Sequence, residues 1–459
     1  MLKKNDVIKL NIDDLTNLGF GVGRYGGEVV FVSDTVPGDT VMAKIIKAAK
    51  SYSVARVDKF ITYSQKRCDT RCHITACKSC AYKHIGYGDE LDLKRNTVKG
   101  AFLHEGLTDV EVHPATPSPD LHFYHNKAQY PISIDKNGNY TIGFYAPKSH
   151  RVTEARDCPL APAVFAEILY TLADFFKKYA ISVYDEESGK GLLRHVYLRR
   201  AEIGGEILLT LVINGDSIAK EDELVRIIAE KFPDVVGILI NENTKNTNVV
   251  LGERYRTLYG RDYIYDTLAD VRLKITAPSF YQVNRKAADL LYRKARELAA
   301  LSKTDTLLDL FCGAGSIGLS MANDCGELIG IEIVESAVEC AKENAISNGI
   351  SHAKFYTGDA TNTEKLLSIA ESELQKEIRP DVVILDPPRA GCDKELVDFI
   401  ARLSPKRIVY ISCNPMTLAR DCKLFLAHGY ATNEATPFDL FPGTGHVEGV
   451  VCLTRNAKG

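Results

Sequence analysis

One cysteine stands where a substrate could meet its sulfur: Cys413, within Tyr410-Ile-Ser-Cys-Asn-Pro415. A thiolate attacks electrophilic carbon far better than a neutral thiol, so a working cysteine needs an open perch and a neighbourhood that lowers its pKa. Val409 and Ile411 fit a buried strand ending there, and Asn414-Pro415 fits a turn into a helix beginning near Met416. Inert packing is the competing use of such a thiol. Near the end of the chain, Gly445-His-Val-Glu448 leads into an apolar strand over 449–453. A carboxylate beside a reacting base can accept its proton, and a solvated strand-end charge is the alternative.

A second group of motifs lies upstream. Thr306-Leu-Leu-Asp-Leu-Phe311-Cys-Gly-Ala-Gly-Ser316-Ile-Gly318 reads as an apolar strand, a glycine turn and a helix start, which lets backbone approach a nucleotide-like ligand. A second apolar strand, Leu328-Ile-Gly-Ile-Glu332, ends in an acid roughly 20 residues on, where a carboxylate can bind ribose hydroxyls. Asp359 follows Lys354-Phe-Tyr356, at a position to meet an adenine amino group. An NAD enzyme would favour Gly-x-Gly-x-x-Gly opening the helix. Asp-x-Phe-Cys-Gly-x-Gly-Ser is instead similar to the first motif of S-adenosylmethionine methyltransferases.

The run Asp381-Val-Val-Ile-Leu-Asp386-Pro-Pro-Arg389-Ala-Gly391 should end at the carboxyl edge of the same sheet, where open α/β folds bind ligands. Methyltransferases that modify amines often carry an aromatic residue after the two prolines. Arg389 stands there instead, which argues against exocyclic amine chemistry.

Ser279-Phe-Tyr-Gln282-Val-Asn284, the glycine turn, Asp-Pro-Pro-Arg, Ser-Cys-Asn-Pro and His-Val-Glu occur in the order found in RNA 5-methyluridine methyltransferases. The chain resembles their RumA/TrmA group. The resemblance implies that Cys413 adds to C6 of uracil, making C5 nucleophilic enough to take a methyl group from S-adenosylmethionine. Glu448 then removes the C5 proton before the cysteine is eliminated. It places Gln282 near the uracil edge, Phe311, Ser316, Glu332 and Asp359 around the methyl donor, and Asp386 against either ligand. Cys312, Cys325, Cys340, Cys392, Cys422 and Cys452 have no matching role and read as packing. Cys392, close to the prolines, keeps 5-methylcytosine chemistry as a variant.

Four of the twelve cysteines crowd into Cys68, Cys72, Cys77 and Cys80, and with no secretory signal such clustering suggests metal rather than disulfides. Cys72-x4-Cys77-x2-Cys80 with distant Cys158 resembles the four-cysteine iron-sulfur site of the RumA branch, and four thiolates suit a [4Fe-4S] cluster. The family usually has five residues between the first two ligands and Cys-Gly-Gly-Cys after them; here there are four, then Cys-Lys-Ser-Cys. Cys68 therefore competes with Cys72 for the first position, and Cys72 needs the smaller change in spacing. Zinc is the rival metal, though only one Cys-x-x-Cys hook is present. No run matches the Cys-x3-Cys-x2-Cys of radical enzymes.

The elements that must position these residues divide the 459-residue chain in three. Residues 1–62 alternate apolar residues with turns and resemble a TRAM module, an OB-like β-barrel that binds RNA. Residues 63–272 read as a central α+β unit carrying RNA and the cysteines, with strands such as 206–213 and an amphipathic helix over 224–231. Residues 273–459 read as a Rossmann-like α/β catalytic domain with a mostly parallel sheet covered on both faces.

A net charge of −3 does not announce nucleic acid, so any RNA surface must be local. Between Lys44 and Arg67 the bases Lys44, Lys47, Lys50, Arg56, Lys59, Lys66 and Arg67 face only Asp58, with Tyr52, Phe60 and Tyr63 among them, the ingredients for phosphate contacts and base stacking. Lys127, Arg194 and Arg199 are further candidate phosphate contacts, with solvated charge as the alternative. No stretch reaches the roughly 18 apolar residues of a membrane span, and the reading is cytoplasmic and monomeric. The TrmA branch lacks both the barrel and the cysteine cluster, which favours 23S rRNA over tRNA as substrate. A non-catalytic RNA-binding or ribosome maturation factor is the alternative of a different class.

Overall fold

The computed structural model describes residues 2–70, 72–74, 76–147, 149–375 and 377–456. Met1 and residues 457–459, the outermost parts of the expected first and third units, lie outside these ranges.

Six strands form the N-terminal sheet: β1 (Val7–Asn11), β2 (Asp14–Leu15), β3 (Phe20–Tyr25), β4 (Glu28–Ser33), β5 (Thr40–Ala48) and β6 (Tyr52–Thr62), in the order β1-β5-β6-β4-β3-β2. Side chains along the first six residues of β5 alternate between part-exposed and buried, so Val41, Ala43 and Ile45 join Val30, Val32 and Ala55 inside. Three register shifts between β5 and β6 add twist and curl the sheet toward a barrel.

Helix α1 (Tyr87–His104) and the short strand β7 (Glu111–Val112) follow. Sequence position groups them with the central unit, but they pack on the C-terminal part of the chain: Val98, Ala101, Phe102 and Val112 share one apolar core with Leu308, Ile329 and Leu385.

The central sheet runs β10-β9-β8-β11-β12-β13-β14, built from β8 (Lys127–Ile134), β9 (Tyr140–Tyr145), β10 (Val152–Glu154), β11 (Leu193–Arg200), β12 (Ile207–Ile213), β13 (Val235–Glu242) and β14 (Arg254–Gly260). Helices α2 (Ala163–Lys178) and α3 (Glu221–Lys231) cover one face. Leu208, Val212 and Leu239 on the other face join the core of the C-terminal region. Strand β12 is buried at every position, which is why its sequence is a continuous apolar run and not an alternation.

A hairpin, β15 (Tyr263–Leu268) and β16 (Val271–Thr276), and α4 (Arg285–Ala299) lead into β17 (Thr306–Leu310), α5 (Ser316–Met321), β18 (Glu327–Glu332), α6 (Glu335–Ser347), β19 (Ala353–Thr357), α7 (Thr363–Leu374), β20 (Val382–Leu385), α8 (Lys394–Leu403), β21 (Arg407–Ser412), α9 (Pro415–Ala427), β22 (Tyr430–Ala431), β23 (Glu434–Phe438) and β24 (Glu448–Arg455). The sheet order is β19-β18-β17-β20-β21-β24-β23-β7, with β22 paired to β24. Strands β17 to β21 pair in parallel, and β24 is antiparallel to both β21 and β23. Strand order reverses between β17 and β20, which opens a crevice at their carboxyl ends. No helix among the described residues is long and apolar enough to cross a membrane.

Two close approaches tie the barrel and the cysteine segment that follows it to the rest. A Cβ on Gly445 would lie 1.9 Å from the carbonyl oxygen of Asn17, in the loop between β2 and β3, so only glycine fits there. Tyr82 N–H, just past the last cysteine of the first cluster, donates to the carbonyl of Gly443 (2.8 Å).

Candidate active site

The crevice at the strand reversal is a cavity of about 1090 Å³. Its lining includes every candidate site residue read from the sequence: Gln282, Phe311, Ser316, Glu332, Asp359, Asp386, Cys413 and Glu448 on the catalytic side, with Cys72, Cys77, Cys80 and Cys158 on another wall.

At the glycine turn, Phe311 takes a left-handed backbone conformation (φ 64°), sparsely populated for a bulky residue and held only where surroundings dictate it. Gly313 N–H donates to Glu332 Oε2 (3.0 Å), and the second carboxylate oxygen accepts from Val334 N–H (2.9 Å). Glu332 thus braces the turn while its remaining lone pairs face the cavity wall it lines. Asp309, buried at the end of β17, accepts from Gly318 N–H (2.9 Å) through one oxygen, and its other oxygen has no hydrogen-bond partner. Burial pushes its carboxyl up to about 7. A Cβ on Gly313 would meet nothing within 4 Å. An open turn beside the Glu332 carboxylate, both lining the cavity, fits a nucleoside-like donor carrying amino and hydroxyl groups. Ser316 bonds the Tyr292 hydroxyl (3.1 Å), which Gln282 also reaches, so one buried phenol links the cofactor turn to the Ser-Phe-Tyr-Gln segment.

Cys413 follows β21 by one residue. Asn414 caps α9 by accepting from Met416 N–H (3.1 Å), and Pro415 occupies the first turn, where its missing N–H costs nothing. Antiparallel pairing of Ser412 with Gly449 sets Glu448 beside the thiol. Glu448 is 6% exposed; burial, reinforced by the charge of Asp386 and opposed by Arg389, pushes its carboxyl up to about 8. Asp386 opens onto the cavity, and burial raises it to about 7. Burial and the Glu448 charge also push the Cys413 thiol above its ordinary value, with Arg389 pulling the other way. For the protein alone the neighbourhood raises this pKa instead of lowering it, first because the sulfur is partly buried and then because two carboxyls stand near it.

Cys392 is buried beneath this site, 3.6 Å from the Tyr410 hydroxyl, and is not among the cavity-lining residues. Burial pushes its thiol up to about 12, which makes it a poor second nucleophile.

On the cysteine wall, burial comes first in raising Cys80 to about 12, followed by the charges of Cys158, Cys72 and Cys77, so these four thiols are mutual neighbours. The Cys68 thiol is turned to the carbonyl of Ile85 (3.1 Å). Among the described residues no group of three or more His, Cys, Asp or Glu is placed to hold a metal ion. The four thiols meet on one wall, but not at the spacing of a closed single-ion site.

Two of the expected phosphate contacts are structural. Arg194, 4% exposed, donates to the carbonyls of Asn243 and Lys245 (2.8 Å each). Arg199, 2% exposed, donates to the Tyr197 hydroxyl (2.9 Å) and to the carbonyls of Ala277 and Ser279. In the basic run, Arg67 is paired to buried Asp39 (2.7 Å) under Phe60 and Tyr63, whereas Lys47, Lys50, Arg56 and Lys59 are exposed. Lys127 does line the cavity, where burial and Arg199 bring its ammonium down to about 8.

Two further residues carry no signal of their own in the sequence. Tyr292 sits within a helical period and belongs to no motif, and Phe280, 70% exposed at the cavity, offers a stacking surface. Phe280 stands two positions before Gln282 in the Ser-Phe-Tyr-Gln segment, so its motif was the available clue.

A family model described as tRNA (uracil-5-)-methyltransferase matches residues 86–456, and a TRAM domain model matches residues 2–57. Uncharacterized RNA methyltransferases of Clostridium acetobutylicum and Bacillus cereus are each 38% identical, over 461 and 460 residues, covering 100% of this chain and 99% and 98% of theirs. The solved structure of Pyrococcus abyssi tRNA (uracil-54, C5)-methyltransferase with S-adenosyl-L-homocysteine superposes with a TM-score of 0.77 at 27% identity, covering 97% of this chain and 100% of that one.

Proposed function

The chain belongs to the tRNA (uracil-5-)-methyltransferase family, S-adenosylmethionine-dependent RNA methyltransferases, and from that premise we propose that it methylates C5 of a uridine in structured RNA through a covalent bond between Cys413 and C6. The observation that carries this reading is the meeting of Cys413 and Glu448 in one cavity with the glycine turn.

In this mechanism the Cys413 sulfur attacks C6, and the ring electrons make C5 nucleophilic. S-adenosylmethionine, when bound, supplies the methyl group. Glu448, with a carboxyl raised toward neutrality, is basic enough to take the C5 proton, after which the C6–S bond breaks and the thiolate is released. Glu332 and Asp309 brace the glycine turn that would hold the methyl donor, and Gln282, fixed through Tyr292, would orient the base. The uridine must leave its stack to reach the sulfur, and exposed Phe280 is placed to stack against the opened RNA.

We read 23S rRNA as the substrate because the barrel and the cysteine group occur together in this chain. A tRNA substrate is the second reading, favoured by the similar Pyrococcus abyssi enzyme. For Cys72, Cys77, Cys80 and Cys158 we propose a [4Fe-4S] cluster, supported by an all-thiol donor set on one wall, with Cys68 turned to a carbonyl instead. Reduced thiols of this kind suit the cytosol.

Cys413→Ala should abolish methyl transfer and the covalent adduct with RNA carrying 5-fluorouridine at the target. An intact adduct in that variant would assign the attack to another residue. Mapping methylated positions in rRNA and tRNA by mass spectrometry decides the substrate, and transfer to neither would leave a binding-only protein.

A further inference from the structure

The turn between β20 and α8 is clamped more tightly than a loop needs to be. Helix α9 and its cap reach it four times: Asn414 Nδ2 and the Thr417 hydroxyl donate to the carbonyl of Arg389 (3.0 and 3.5 Å), and Arg420 donates to the carbonyls of Ala390 and Cys392 (3.0 Å each). Buried Asp421 completes the clamp, accepting from Cys392 N–H (2.8 Å), the Tyr410 hydroxyl (2.6 Å) and Arg420 Nε (2.7 Å). These bonds fix the backbone of Arg389 to the same helix start that presents Cys413.

The charged groups that act on the sulfur are Glu448 at the start of β24 and Asp386 and Arg389 from the clamped turn, and His446 lines the same cavity. Two are carboxyls, and burial, with the nearby arginine, lowers the pKa of the imidazole. Arg389 is thus the one permanent cation of the set; it lines the same cavity as Cys413, and its charge favours the thiolate.

We propose that Arg389 is a catalytic residue that pairs with the Cys413 thiolate, allowing it to form beside Glu448. Without a cation, two anions and a sulfur at close quarters would each hold their protons. With it, the thiol proton leaves to water in the open cavity and not to Glu448, which must itself be ionised when it takes the C5 proton. The sulfur then forms its bond to C6 and later regains the electron pair when that bond breaks, returning to the same guanidinium. No oxidant or further reactant is needed. Arginine after the two prolines thus has a role for which an aromatic residue could not substitute.

This rests on Cys413 being the nucleophile, and the two ideas fail separately. The test is RNA-free alkylation of the purified full-length protein by iodoacetamide from pH 6 to 10, following Cys413 by peptide mass spectrometry, in wild type, Arg389→Gln and Arg389→Lys. Loss of the charge should raise the apparent pKa of Cys413 by about one unit, slowing its alkylation near pH 7.5 about tenfold, while Lys restores most of the rate. An unchanged Cys413 profile in Arg389→Gln overturns the proposal, even if methyl transfer is lost. Should Arg389→Gln not fold, as judged by thermal unfolding, Arg389→Met, which keeps an unbranched stem and lacks the charge, provides the same comparison over the same pH range, with an unchanged Cys413 profile again overturning the proposal. A wild-type protein that alkylates normally but forms no RNA adduct would defeat the nucleophile and leave the ion pair standing.

Discussion

Glu448 carries the clearest residue-scale consequence. A carboxyl raised from 4.5 to about 8 costs the folded state nothing where both states are protonated and destabilises it as pH rises beyond that. Between those two values the folded protein binds the proton that the unfolded chain has released, so this group's effect on stability becomes more unfavourable as pH rises from about 5 to 8. Glu448→Gln should therefore gain stability relative to wild type across that window, the gap widening with pH, as measured by chemical denaturation at fixed pH steps. The same variant should still form the RNA adduct but release it slowly, because the C5 proton has lost its acceptor; unchanged turnover would remove Glu448 from the mechanism. Candidate site residues at strand ends and turns were legible because their motifs are local in sequence: Cys413, Glu448, Asp386, Phe311, Ser316, Glu332 and Asp359 all reach one cavity. Arg194 and Arg199 misled because charge in a strand suggests a wet face. Strand β11 is covered on both sides, and its arginines satisfy backbone carbonyls instead.

Among the elements, α1 was the least legible. Its Glu90 and Lys94 look like an exposed i,i+4 pair, yet both are buried, and Lys94 Nζ bridges Glu90 (2.7 Å), Asp439 (2.6 Å) and the carbonyl of Phe441 (3.2 Å). Glu90 in turn accepts from Gly443 N–H (2.8 Å), so a helix from early in the chain fixes the loop leading to Glu448. Lys94→Met would strand two carboxyls without their counter-charge. A loss of about 3–5 kcal/mol in unfolding free energy is expected, readable by urea denaturation. Strand β7 escaped notice because two residues carry no periodicity, and its place beside β23 depends on partners that are more than 300 positions away. By contrast β17, β18, β20 and β21 are continuous apolar runs ending in polar motifs, the pattern of strands buried on both faces.

For the molecule as a whole, RNA affinity should depend on local charge, since net charge is −3. On β5 and β6, Lys44 lies opposite Arg56, a like-charge pair that is unfavourable until an anion bridges it. Replacing Lys47, Arg56 and Lys59 by Ala should weaken RNA binding and reduce the slope of log affinity against log salt by about 0.7 to 0.9 for each phosphate that is no longer neutralised. An unchanged slope would move the RNA track elsewhere. Anaerobic protein should contain iron and sulfide that Cys80→Ala largely lacks; iron-free wild type with full activity would remove the cluster from the reading.

Because the carbonyl of Asn17 leaves room for nothing but hydrogen at position 445, the barrel is a fitted part of the catalytic architecture, not a detachable handle. A foreign module grafted in its place would have to reproduce one backbone bend to within an atom's width, or Glu448, three residues later, would drift out of register with the sulfur.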